Sequence, residues 1–265
     1  MGQYSTLHTH SDSGVLTLTM NRPEKRNALN PAMMDELTHA LEAAGSNASC
    51  EVILLTGAGD AFCAGLDLEH LETLSAKTPE QHRADSERIA RLLRTLYDTS
   101  KPTIAAVNGA AIAGGMGLAT ICDFTLASPE AKFGYTEVKI GFVPAIVSAF
   151  LRGQIGEKHA RDLLLTGRLI KAQEAFELGL VTQVIAEQDL MREARNLAKR
   201  LLCNSPAAMQ ATKRLLSQHA HHHLDAEIEA AIEANVQART TEDFKEGIRS
   251  FLEKRRPDWP SRKKI

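Results

Sequence analysis

Apolar positions along this chain switch repeatedly between two periods. Residues 14–20 (GVLTLTM) alternate β-branched and apolar side chains as a strand does, and the polar stretch 21–27 (NRPEKRN) is loop chemistry. A helix follows: Pro31 suits its first turn, Met34, Leu37 and Leu41 recur on one face, and Gly45 stops it. The same order then returns. A strand at 51–56 (EVILLT) leads to a glycine-rich loop and a helix at about 80–98, with Ile89, Leu92, Leu93 and Leu96 inward. Next come a strand at 103–107 (TIAAV) and a helix opening at Gly114, and 123–127 (DFTLA) and 132–134 (KFG) extend the sheet. Strands alternating with helices predict an α/β architecture. From Val147 the character changes. Apart from a strand at 181–185, helices are expected at about 157–165, 171–178, 188–203, 206–220, 224–237 and 241–254. A soft boundary near residue 200 divides a core, 1–200, from a helical region, 201–265. The apolar stripes of that region need another surface to cover them, so it reads as an oligomerisation region. No internal repeat is visible.

Composition narrows the partners. The net charge of −2 makes no global case for a nucleic-acid partner, and only 254–256 (KRR) and 262–264 (RKK) are densely basic, as a solvated tail is. Cys50, Cys63, Cys122 and Cys203 show no C-x-x-C spacing, and residues 1–6 offer neither a basic nor an apolar run, so the expectation is a reduced, cytoplasmic protein. No apolar segment approaches the ~20 residues that a bilayer crossing needs, so no membrane is expected as partner.

The most informative stretch is 110–118 (AAIAGGMGL), where a bend almost free of side chains runs into an apolar helix and leaves backbone N–H groups facing outward. A second bend, 63–67 (CAGLD), follows the strand at 51–56 and could supply an opposing donor. Two such donors make an oxyanion hole. The stretch 57–62 (GAGDAF) starts like a dinucleotide fingerprint but has Phe62 in place of the third glycine, and is rejected as one. No G-K-[ST], H-E-x-x-H or G-x-S-x-G motif occurs. His219, His221, His222 and His223 point in different directions on a helix and cannot converge on one ion, so no metal is expected. Glu137 sits among apolar residues and glycines, where partial desolvation raises a carboxyl pKa toward neutrality. Taken alone it reads better as a solvent-facing acid paired with Lys139; the two bends upstream reverse that preference in favour of acid/base chemistry. Asp123 reads as a cap or turn residue, and Asp67 and Glu69 as charges complementing a helix N-terminus.

Together, 21–30 (NRPEKRNALN), 61–68 (AFCAGLDL), 101–109 (KPTIAAVNG), 113–119 (AGGMGLA) with Cys122 and Asp123, 133–137 (FGYTE) and 165–167 (LTG) resemble the enoyl-CoA hydratase/isomerase, or crotonase, superfamily over nearly the whole chain. That resemblance implies a spiral of ββα repeats with a helical C-terminal trimerisation region, assembled as a homo-trimer or a dimer of trimers. It implies an acyl-CoA substrate whose thioester oxygen is held by the amides of Leu66 and Gly114. It also implies a coenzyme contacting Ala64, Leu66, Asp67, Leu68 and Glu69, with Arg26, Ala28 and Leu29 near its adenine and pantetheine end. Phe251 and Lys254 would reach the adenosine part in a neighbouring subunit. No cofactor beyond the substrate's own coenzyme A is implied. The chain departs from the two-glutamate pattern at Gly117, which leaves Glu137 as the single acid/base. The expected activity is therefore hydration of a 2-enoyl-CoA, with 3-enoyl to 2-enoyl isomerisation as the alternative. Acyl-CoA hydrolysis or decarboxylation, and non-catalytic acyl-CoA or RNA binding, use the same scaffold. Acyl-pocket walls are expected from 70–98 and 140–150, with Phe142, Ile146 and Phe150 as apolar wall residues.

Overall fold

A hairpin opens the structure, a computed structural model that describes residues 4–74 and 77–262, without the side chains of Leu68, Ala220, His221 and His222. Strands β1 (Leu7–Asp12) and β2 (Val15–Met20) pair antiparallel across Ser13 and Gly14. Both turn residues have positive φ, at 48° and 85°, the tight turn that a right-twisted hairpin favours. The sequence reading has no strand before Gly14. β1 is an edge strand whose only buried side chain is Leu7, so it carries no apolar alternation to detect.

Helix α1 (Pro31–Ser46) is capped by Asn30, whose side chain accepts from Met33 N. β3 (Val52–Gly57) and β4 (Ala61–Cys63) follow, then α2 (Leu68–Leu74) and α3 (Pro79–Asp98). β5 (Thr103–Val107) and β6 (Ala110–Ile112) lead into α4 (Gly114–Ile121). β7 (Phe124–Ala127) and β8 (Lys132–Gly134) lead through a 3-10 turn, Glu137–Ile140, into α5 (Ala145–Thr166). Each turn thus gives one strand to each of two sheets. A six-stranded sheet runs β1-β2-β3-β5-β7-β10, with β10 at Gln183–Val184; a four-stranded sheet runs β4-β6-β8-β9, with β9 at Ile170–Lys171. This ββα spiral is a repeat of geometry that no sequence repeat announces.

In the larger sheet Ile53 and Leu55 face the main core, while Val52 and Leu54 face a second cluster closed by Leu190, Ala194 and Ala198 of α7 (Leu190–Leu202). Burial on both faces explains the unbroken apolar run of β3. α6 (Ala172–Glu177) lies between β9 and β10.

The C-terminal helices differ from expectation. A single helix, α8 (Pro206–Arg239), replaces the two expected at 206–220 and 224–237, because after Pro206 the stretch contains no glycine or proline to break it. Its second half packs on the chain's own core through Leu224, Ala231 and Ile232. α9 (Glu242–Leu252) is seated on the Glu137–Ile140 turn: a Cβ on Gly247 would lie 2.2 Å from the Ile140 carbonyl oxygen, and one on Gly141 would lie 2.4 Å from that of Asp243. Part of the apolar surface expected to need a partner is therefore covered within the chain. Among the described residues no helix is long and apolar enough to cross a membrane.

Candidate active site

The site begins where β4 and β6 end. They pair in parallel with Cys63 opposite Ala111, so the two chains leave the same edge side by side. The first bends at Gly65 (φ 88°) and the second at Ala113 (φ 51°, ψ −123°), just ahead of α4. The bends touch backbone to backbone: a Cβ on Gly115 would lie 2.2 Å from the Cys63 carbonyl oxygen. No side chain fits there. Leu29 N donates to Gly65 O (2.7 Å) and Asp67 N donates to Leu29 O (2.9 Å), which turns the N–H of the intervening Leu66 away from Leu29. Gly114, as the first residue of α4, carries an N–H with no intrahelical acceptor. Leu66 and Gly114 line the same cavity, of about 550 Å³.

Glu137, the first residue of the 3-10 turn, lines the same cavity. It is 9% exposed, its Oε2 meets no partner among the described residues, and burial pushes its carboxyl up from 4.5 to about 7. The surrounding wall is apolar: Ile140, Phe142, Val143, Ile146 and Val147 on one side, Leu71 and Ile89 on the other. Such a carboxyl exchanges protons near neutrality without being neutralised by a cation. A Cβ on Gly117 would lie 3.0 Å from a Val147 methyl, with Leu93 methyls at 3.6 Å, so apolar atoms fill the space that a second acid on α4 would need.

A clamp shapes the cavity mouth. Arg22 donates to Ala28 O (2.6 Å) and to Asp67 Oδ2 (2.6 Å), while buried Asn27 accepts from Arg22 N (2.9 Å) and donates to Ala58 O (2.9 Å) and Ala61 O (2.8 Å). Arg26 and Asn27 have φ of 49° and 54°, and this pinned turn presents Lys25 and Arg26 at the rim. The Arg22 guanidinium and the Glu69 amide hold the Asp67 carboxyl below the usual carboxylate range against its partial burial. Asp67 is therefore a fixed structural anion.

A family model for enoyl-CoA hydratase/isomerase matches residues 10–262. The chain belongs to the enoyl-CoA hydratase/isomerase family. A protein of Thermus thermophilus provisionally named as an enoyl-CoA hydratase is 44% identical over 92% of this chain and 96% of its own length. The 2,3-dehydroadipyl-CoA hydratase of Escherichia coli is 38% identical over 94% of this chain and 96% of its own. The crystal structure of an enoyl-CoA hydratase from Bacillus halodurans superposes with a TM-score of 0.88 at 28% identity, covering 93% of this chain and all of that one.

Of the residues that the sequence singles out in this hydratase/isomerase family chain, Arg26, Ala28, Ala64, Leu66, Asp67, Gly114, Glu137 and Phe251 surround one cavity. Leu29 does not reach it; its side chain is fully buried beneath Gly114. Glu69 stands outside, paired with Lys25 at 2.5 Å, and Lys254 is exposed with φ 52° beyond α9. The side chains of Leu68, His221 and His222 lie outside the described residues. Phe251 lines the cavity of its own chain, where the glycine contacts of α9 seat that helix on the Glu137 turn. Glu137 is not the solvent-facing partner of Lys139. Phe142 and Ile146 line the cavity; Phe150 turns inward against Tyr97 instead. Asp123 is structural, accepting from Thr103 N (2.7 Å) and Lys213 Nζ (2.6 Å). Among the described residues no group of three or more His, Cys, Asp or Glu side chains is placed to hold a metal ion.

Sequence reasoning missed Arg22, Asn235 and Arg239. The last two line the cavity and share a buried stripe of α8 with Ala231 and Ile232. The spacing of polar residues on that apolar stripe was the available signal.

Proposed function

We propose that this chain is a hydratase of 2-enoyl-CoA thioesters with Glu137 as its single acid/base. The thioester oxygen accepts hydrogen bonds from the N–H groups of Leu66 and Gly114, where the positive end of α4 adds to the field. Glu137, as carboxylate, takes a proton from water while the water oxygen bonds to C3 and the negative charge moves through C2 onto the thioester oxygen. The resulting acid then gives the proton to C2, the enolate collapses, and the carboxylate is restored. Removing one donor from such a hole typically costs ~3–4 kcal/mol of barrier, and a positioned acid/base contributes ~10²–10⁴-fold. No metal or redox group enters this cycle, and coenzyme A belongs to the substrate.

One observation carries the reading: a buried carboxyl, whose Oε2 has no partner among the described residues, lines a single cavity with Leu66 and Gly114. The apolar packing against Gly117 supports a one-acid cycle over a two-acid one. The dry wall around Glu137 also favours a second reading, in which the same carboxylate takes a proton from C2 of a 3-enoyl ester and returns it at C4. Absorbance of the conjugated thioester separates them, since hydration removes that chromophore and isomerisation creates it. Glu137→Gln is expected to lower kcat by about 10³-fold with CoA-ester affinity kept; undiminished turnover would overturn the assignment.

The reading includes a homo-oligomer, a trimer or a dimer of trimers. Leu165, Leu169, Phe176, Leu215 and Leu216 stand exposed and would be covered by it. Sedimentation showing a monomer at micromolar concentration would contradict that part.

A further inference from the structure

A buried carboxylate that the hydration cycle does not use lies between the two parts of the site. Asp85, on α3, is 3% exposed. Its Oδ1 holds His70 Nε2 at 2.6 Å and its Oδ2 accepts from Arg239 Nη1 (2.7 Å), with Arg88 farther off at 3.9 Å. Against a burial that would raise it, the His70 hydrogen bond and the Arg239 charge hold this carboxyl at about 2, so it stays an anion at working pH. Its two close partners reach different parts of the site. His70 belongs to α2, which starts two residues after Leu66, the donor assigned to the thioester oxygen, and Leu71 of the same helix lines the cavity. Arg239 lies over the Phe142 ring, 5.3 Å from its centroid, and Phe142 N donates to the Glu137 carbonyl oxygen (3.0 Å).

A helix of seven residues has little stability of its own, so the position of α2 is set by what it packs on. Leu71 and Leu74 join Phe142, Ala238, Phe244 and Ile248 in a cluster separate from the main core. α2, the turn that carries the acid and α9 therefore share one small apolar unit, and apolar packing alone has no direction. Asp85 supplies one. α3 is built into the main core through Leu92 and Leu93, and its carboxylate takes a charge-assisted hydrogen bond from each side of the small unit. Resting on the acid/base and oxyanion roles assigned above, we infer that Asp85, through His70 and Arg239, is a positioning residue that sets the Leu66 donor against the Glu137 carboxyl. Misplacement by about 1 Å can cost ~10²-fold in rate, so loss of this anchor is read in kcat before it is read in binding.

The test reads kcat against KM on a 2-enoyl-CoA ester. His70→Leu is expected to lower kcat about tenfold with KM changed by less than about threefold, whereas His70→Gln, which keeps an N–H donor near the place of Nε2, keeps most of the rate. Asp85→Asn should cost as much as His70→Leu or more, and adding His70→Leu to it should cost little further, because both act through one carboxylate. Arg83→Gln breaks the exposed pairs of α3 with Glu229 and Glu233, leaves Asp85 untouched and should leave kcat alone. A second readout needs no turnover. The thioester carbonyl stretch of a bound saturated acyl-CoA, followed by isotope-edited infrared difference spectra, should move to lower wavenumber in the parent and in His70→Gln, and less in His70→Leu. If His70→Leu keeps both kcat and the carbonyl shift while only Tm falls, the anchor is structural and the inference is overturned. Fully additive losses, or an equal loss in Arg83→Gln, overturn it as well. If Asp85→Asn does not fold, the two His70 variants decide. Undiminished turnover in Glu137→Gln would overturn the acid's assignment instead, and the carbonyl shift would still decide whether His70 orders the oxyanion donor.

Discussion

The two ends of the cavity are built in opposite ways. At the edge of the small sheet the cavity is lined by main chain: the bends after Cys63 and Ile112 are held by parallel pairing and by glycines that admit no Cβ. Elsewhere it is lined by side chains on α8 and by the turn beneath α9, brought together by helix packing across more than half of the chain. A backbone site depends on register and tolerates variation in its side chains. A side-chain site is free to change its selectivity while the reaction at the other end stays the same. Glu137 stands where the two meet, on a turn that begins beside the bends and is covered by α9.

The comparison breaks most sharply if the bends are forced apart. Gly115→Val drives a branched side chain into the Cys63 carbonyl and is expected to lower kcat by about 10²–10³-fold together with a lower Tm; an unaltered kcat would mean that the contact between the bends is irrelevant. At the meeting point, stability should oppose activity. The Glu137 carboxyl is held at about 7 in the fold against an ordinary 4.5. Below the lower value both folded and unfolded chains keep the proton, and as pH rises through the higher one the fold loses about 3 kcal/mol that the unfolded chain does not. Glu137→Gln should therefore be more stable than the parent at pH 8, on the order of 2–3 kcal/mol in urea unfolding, with the gap closing in acid. A constant gap would deny that burial sets this group. On the helical side, Gly247→Ala presses a methyl on the Ile140 carbonyl, and we expect kcat to fall about tenfold with a lower Tm, as the turn carrying the acid shifts. Smallest of all is Ala113→Gly. Relieving a non-glycine φ of 51° should stabilise the protein by up to about 1 kcal/mol without changing kcat, and calorimetry would detect a loss instead.

The same division explains what the sequence discloses. Gly65, Gly114 and Gly115 are legible because a glycine-rich bend next to a strand is a local feature, and Glu137 because apolar neighbours flank it in the chain. β4 and β6 are too short to show a period, and β1 is too exposed. For Asn235 and Arg239 the only local mark is their spacing on an apolar stripe, and their placement at the cavity depends on Asp85, Phe142 and a helix that runs unbroken from Pro206. Seating of α9 on its own chain rests likewise on Gly141 and Gly247, whose close approach is a fact of tertiary packing.

The most direct test is a crystal structure with a saturated acyl-CoA bound. Its thioester oxygen should lie about 2.7–3.1 Å from both the Leu66 and Gly114 nitrogens, with the Glu137 carboxyl beside C2 and C3. A thioester oxygen facing solvent, or a Glu137 side chain turned away from those carbons, would contradict the account.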